Sequence, residues 1–175
     1  MQLKNINQKN FKYEEFLFSK TAIANNIDNE AELLKDPNYK SYILNGVHLA
    51  TTLQKIRDLM NKSQELKDII KSDEVIINIT SGYRCPKLNE LVGGRPASQH
   101  TRFQAVDFRI NGITDLQQLK RIAIWLKNQK VSVDQCLVET TWIHLSAKLK
   151  DNRGMFGTFI NNKFIDFYVR NFYKQ

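Results

Sequence analysis

Near residue 72 the hydrophobic period of this sequence changes, and that change constrains the fold more than any other feature. Before it, Ile43, Val47, Ala50, Leu53, Ile56 and Met60 recur at spacings of three and four, the mark of a long amphipathic helix. After it, Val75-Ile76-Ile77-Asn78-Ile79-Thr80 is rich in β-branched residues and reads as a buried strand. Helices and antiparallel strands are segregated along the chain rather than alternating, which predicts an α+β fold.

The other elements follow from local signals. Residues 11–18 read as a short docking helix, with Ser19 able to cap what comes next. Residues 62–71 are a loop or a second short helix. Ser81-Gly82-Tyr83-Arg84-Cys85-Pro86 breaks the first strand, and 87–92 form a helical turn ended by Gly93-Gly94. Residues 105–110 alternate as a second strand. Thr114 and Gln117 give a capping-box pattern ahead of the stripe Leu116, Leu119, Ile122, Ala123 and Leu126. Residues 136–139 and 142–146 read as two strands joined tightly at Thr140-Thr141. Residues 156–160 and a turn at Asn161-Asn162-Lys163 lead to an aromatic tail. A helix there would pack Phe164, Ile165, Phe167, Tyr168 and Phe172 on the sheet. We expect one domain over 1–175, divided into a docking segment (1–40), a core (41–150) and the tail (151–175).

Composition narrows the function classes. A chain of 175 residues with 42% hydrophobic and 25% charged residues is ordinary globular usage, which excludes wholesale disorder. No apolar run approaches the ~20 residues of a membrane span. The first ten residues hold no apolar segment, so no export signal is expected. The expected location is the cytoplasm of the producing cell. The net charge of +8 favours anionic partners such as nucleic acid, cell-wall polymers or membrane surfaces, or else marks a solvated lysine-rich surface. Two cysteines, Cys85 and Cys136, without CxxC spacing, make neither a disulfide framework nor a cysteine zinc site. Histidine is scarce: His48, His100 and His144 are the only three.

A zinc peptidase needs three protein ligands, an acidified water and a group to carry its proton. His100 opens a loop-to-strand segment and Asp107 lies seven residues on, in the strand. That spacing is too long for a helical pair but suits a loop ligand folding over a strand ligand. His144, in a later strand, could be the third. By spacing alone the trio is not diagnostic. Singly, Arg84 reads as a structural arginine, Trp142 as a core aromatic, Glu139 as a strand-end charge and His48 as an edge-of-core residue.

Taken in order, however, Ser81-Gly82-Tyr83-Arg84-Cys85-Pro86-Lys87-Leu88-Asn89, Val92-Gly93-Gly94, Ser98-Gln99-His100, Ala105-Val106-Asp107 and Trp142-Ile143-His144 resemble the zinc D-alanyl-D-alanine carboxypeptidase superfamily. Its pattern is SGYRSxxxN, VGG, SxHxxGxAxD and WxH, and its members include VanX-like dipeptidases and phage L-alanyl-D-glutamate endopeptidases. The similarity runs from about Phe11 to Ser146. It implies helices packed on a small antiparallel sheet, hedgehog-like, that carries one zinc ion. The implied ligands are His100, Asp107 and His144. Arg84 and Ser98 are the implied substrate-binding residues, and stem peptides of peptidoglycan the implied substrate. Glu139, five residues before His144, is the candidate general base. Release by lysis, by a holin or within a virion, among virion proteins, is the implied route to the wall.

Two departures from the pattern stand out. Phe103 replaces the motif glycine three after the histidine, where an aromatic ring is expected to crowd the pocket. Thr141 stands where many members have a carboxylate. They open a rival reading: a non-catalytic virion or wall-binding protein that reuses the fold. No helix-turn-helix, zinc-finger or RNP pattern supports a nucleic-acid partner.

Overall fold

The sheet is built so that its strands present alternate residues to two different environments. The structure, a computed structural model, describes residues 2–161 and 163–167. Six strands stand in the order β1-β2-β4-β3-β5-β6: β1 is Ile77–Ser81, β2 Ala105–Ile110, β3 Gln135–Val138, β4 Ile143–Ser146, β5 Met155–Ile160 and β6 Lys163–Asp166. Val106 and Phe108 of β2, Cys136 and Val138 of β3, and Ile143 and Leu145 of β4 join one hydrophobic core. The intervening residues, Asp107, Leu137 and His144, therefore lie on the opposite face.

Helices fill in around that core. Helix α4 (Tyr39–Lys62) buries Ile43, Leu49, Ala50, Leu53, Ile56 and Met60, and α5 (Gln64–Ile70) follows it directly. Helix α7 (Leu116–Asn128) buries Leu119, Ile122, Ala123 and Leu126. The short helices α1 (Tyr13–Leu17), α2 (Lys20–Ala24), α3 (Asn29–Lys35) and α6 (Pro86–Leu91) make up the rest. Ser19 does cap α2, its Oγ accepting from the Ala22 N–H at 3.2 Å. None of the described helices is long and apolar enough to cross a membrane.

The α+β expectation holds, with three corrections. The cap of α7 is Asp115, whose carboxylate accepts from Gln117 N at 2.8 Å, one residue later than the Thr114 pattern suggested. The sheet is not wholly antiparallel, because β3 and β5 pair in parallel. Strand β4 already has β2 and β3 on its two edges, so the chain leaving it must go to an outer edge of the sheet, here that of β3. One reversal through residues 147–154 then makes β5 antiparallel to β4 and parallel to β3. Finally, Phe164 and Ile165 lie in β6, hairpinned to β5, and not in a helix. Strong β-formers on both sides of the Asn161 turn decide this. Phe167 is buried, while Tyr168 and Phe172 fall outside the described residues.

Candidate metal centre

The strand register puts two of the three predicted ligands side by side. Asp107 on β2 is directly opposite His144 on β4, and both occupy the face away from the core. His144 Nδ1 lies 2.8 Å from Asp107 Oδ1. The third ligand arrives on a one-turn 3-10 helix, Gln99–Arg102. Ser98 caps that turn, its Oγ accepting from His100 N at 3.3 Å. Asn45 of α4 holds its far end by donating to the Arg102 carbonyl at 2.9 Å. His100 Nε2 then lies 3.3 Å from Asp107 Oδ1 and 3.3 Å from His144 Nδ1.

These distances fit a metal ion. Zinc bonds of about 2.0–2.1 Å in a tetrahedron place neighbouring ligand atoms about 3.3 Å apart. The three donors here form a triangle with edges of 3.3, 3.3 and 2.8 Å. The ring of His100 is also set correctly. Its Nδ1 lies 2.7 Å from the Gly82 carbonyl, which can only accept, so Nδ1 carries the proton and Nε2 presents its lone pair to the centre. Burial lowers the His100 pKa and keeps the ring in that neutral, ligating form. For Asp107, burial pushes the pKa up. Hydrogen bonding to His100 and His144, and their charge, more than reverse that and hold it well below the usual carboxylate range.

The SGYR segment is held from both sides. At Gly82 an added Cβ would lie 2.3 Å from the Phe16 carbonyl, so the close approach of α1 requires glycine. Asn29, buried, donates to the carbonyls of Leu17 and Tyr83 and accepts from Cys85 N at 2.9 Å. Sequence reasoning missed Asn29, since an asparagine inside a polar N-terminal segment carries no signal of burial. The result positions Arg84, whose Nε donates to Ser81 Oγ at 2.9 Å and whose Nη2 donates to Asp107 Oδ2 at 2.7 Å. Arg84 therefore grips the carboxylate oxygen that the histidines leave free, while also lining the cleft above.

That cleft measures about 800 Å³ and is lined by Arg84, Ser98, His100, Asp107, Glu139 and His144, among others. Glu139 follows β3 by one residue, at the head of the turn into β4, where its N–H donates to the Trp142 carbonyl at 2.9 Å. Burial raises its pKa, as does the charge of Asp107, while His144 works the other way. Thr141 accepts from Arg109 Nη2 at 3.2 Å. His48 lies outside the site, on α4. Both cysteines are free and buried, and burial pushes the Cys136 thiol up to about 12.

Phe103 does not crowd the pocket. It ends the His100 turn in the left-handed conformation (φ 55°, ψ 35°), the geometry that glycine adopts most readily. Its ring is fully buried in the core, 5.5 Å from Tyr83 and 6.1 Å from Phe16. Gly46 of α4 makes the room: a Cβ there would come within 3.2 Å of the Phe103 ring. The expected obstruction is thus turned inward, away from the cleft.

A family model described as Peptidase M15 matches residues 9–146, which include all three donors, Arg84, Ser98 and Glu139. Among curated proteins, none matches the chain.

Proposed function

The chain belongs to the peptidase M15 family, and from that premise we propose that it is a zinc peptidase hydrolysing the stem peptides of peptidoglycan, as a D,D-carboxypeptidase or an L,D-type endopeptidase of phage or prophage character. The observation that carries this reading is the triangle of His100 Nε2, Asp107 Oδ1 and His144 Nδ1, spaced as tetrahedral zinc ligands at the floor of an open cleft. Bound there, zinc supplies Lewis acidity, which polarises a carbonyl and acidifies a water.

The residues of the chain do the rest. His100, Asp107 and His144 would hold the ion. The Glu139 carboxylate takes a proton from the attacking water and returns it to the leaving amine nitrogen. Its raised pKa suits the first of these transfers, because a stronger base takes the proton from water more readily. Arg84 keeps Asp107 in its ligating orientation and offers its remaining N–H groups to the peptide. Ser98 fixes the His100 turn and lines the cleft where the peptide backbone passes. The excess of +8 favours adhesion to an anionic wall, which the protein reaches by lysis, through a holin or as a virion component.

Digestion of purified peptidoglycan by the zinc-loaded protein tests the reading. Release of D-alanine or of new amino termini, abolished by a chelator and restored by zinc, is the expected result. Stoichiometric zinc with no cleavage would leave the non-catalytic wall-binding role instead.

A further inference from the structure

Asp134 immediately precedes β3 and its side chain is 0% exposed. It is saturated with donors. Arg153 supplies its backbone N–H at 3.1 Å, its Nε at 3.1 and 3.0 Å to the two oxygens, and its Nη2. Lys148 Nζ lies 2.9 Å from Oδ1, and Gln99 Nε2 donates to Oδ2 at 3.1 Å. One buried anion therefore holds two cations, and the cluster keeps a net positive charge.

That surplus faces the cleft. Lys148 and Arg153 both line it, with side chains 29% and 50% exposed. A guanidinium has two edges able to meet a carboxylate. Arg153 commits the Nε/Nη2 edge to Asp134, and no described residue accepts from Nη1. The Lys148 ammonium has three N–H groups, and Asp134 is its one ion-pair partner among the described residues. Arg95 and Arg102 line the same cleft without an ion pair among the described residues, whereas Asp107 is already paired with Arg84. Closing the 147–154 reversal does not require these free donors, because Gly154 N and Met155 N already donate to the Val133 and Asp134 carbonyls.

We propose that Lys148 and Arg153, held on Asp134, form a carboxylate-binding subsite, so that the peptide this cleft takes is acidic. The spacing sets where its charge lies. Asp134 N donates to the Ser146 carbonyl, two residues along β4 from His144 and so about 7 Å away at strand rise. A peptide advancing about 3.3–3.6 Å per residue presents its carboxylate one or two residues from the scissile bond. The subsite deepens the peptidase reading, and its substrate assignment rests on it.

The test uses two stem peptides that differ only in having the side carboxylate free or converted to its carboxamide. Binding is measured by calorimetry and cleavage by chromatography, on the zinc-loaded wild type and on Lys148→Met and Arg153→Lys. Arg153→Lys keeps a cation beside Asp134 while removing the second guanidinium edge. The wild type is expected to bind the acid at least about tenfold more tightly than the amide, and each variant to bring that ratio towards one. Equal binding of the two peptides by the wild type, or an undiminished ratio in both variants, overturns the subsite. The two readings fail separately: preference without cleavage keeps the subsite and sinks the peptidase, and cleavage without preference does the reverse.

Discussion

The Arg84 guanidinium binds Asp107 through Oδ2, at 2.7 Å, while both histidines face Oδ1. One carboxylate is thus divided between a cation of the protein and the metal position. An oxygen held this way cannot swing, so the ligand enters the site already oriented.

Removing that grip should reach the metal before it reaches the peptide. Arg84→Ala is expected to weaken zinc binding by about 10–100-fold, read by competition with a chromogenic chelator. It should also destabilise the zinc-free protein by about 1–3 kcal/mol, because it leaves Asp107 Oδ2 without its donor while Oδ1 keeps the histidines. Unchanged zinc affinity together with lost cleavage would make Arg84 a substrate residue alone.

In the proposed site each histidine supplies one of only three protein ligands. His100→Ala and His144→Ala should therefore abolish stoichiometric zinc, measured by elemental analysis. The gain in melting temperature that zinc confers on the wild type should vanish with it. A wild type that gains no stability from zinc would refute the assignment of all three ligands.

Acid should unfold the zinc-free protein in two stages of the same sign. His100 has a folded pKa below its unfolded value near 6.5, so the unfolded chain binds the proton first and stability falls as pH drops below about 6.5. Asp107 is likewise lowered, and its contribution is lost only below the ordinary carboxylate range near 3.9. Melting curves between pH 7 and pH 5 should show the first loss, flattened in His100→Gln. An equal slope in that variant would show that another group drives it.

Phe103→Gly reads as a return to the family pattern, yet it should cost stability. The left-handed backbone is relieved by roughly 1 kcal/mol, but a fully buried phenyl ring is lost, worth about 3–5 kcal/mol. Denaturant unfolding should show a net loss of about 2–4 kcal/mol, with no gain in cleavage. Faster cleavage by this variant would mean that the ring does reach the substrate path.

This residue also marks where the sequence stops being legible. A glycine position filled by phenylalanine is visible in one dimension, but the direction of the ring depends on Gly46, far away in the chain and adjacent only after folding. The grouping of His100, Asp107 and His144 was readable because the alternation of β2 and β4 fixes the face of two of them and because their motifs are local. The division of Asp107 between Arg84 and the histidines was not, since it depends on cross-strand register and on Asn29 pinning the SGYR loop. Only β6 departs from the expected helix, because Phe164, Ile165 and Phe167 carry no clear period of two. The network of Asp134 was missed because Lys148 and Arg153 look like ordinary surface charge until the 147–154 reversal brings them to one carboxylate.

Glu139 separates an active enzyme from an inherited site. It stands in the cleft at the end of β3, and its raised pKa reflects burial and the charge of Asp107. No other carboxylate lies on the strand-turn-strand unit that carries His144. Glu139→Gln preserves the shape and removes the base, so cleavage should fall by about 10²–10⁴-fold while zinc content stays at the wild-type level. The acid limb of kcat/KM in the wild type should lie above the ordinary glutamate value near 4.3, because deprotonated Glu139 is the active form and burial opposes it. Full activity in Glu139→Gln would exclude the role. A wild type that holds zinc and cleaves nothing would show that the ligand triangle outlived the chemistry it once served.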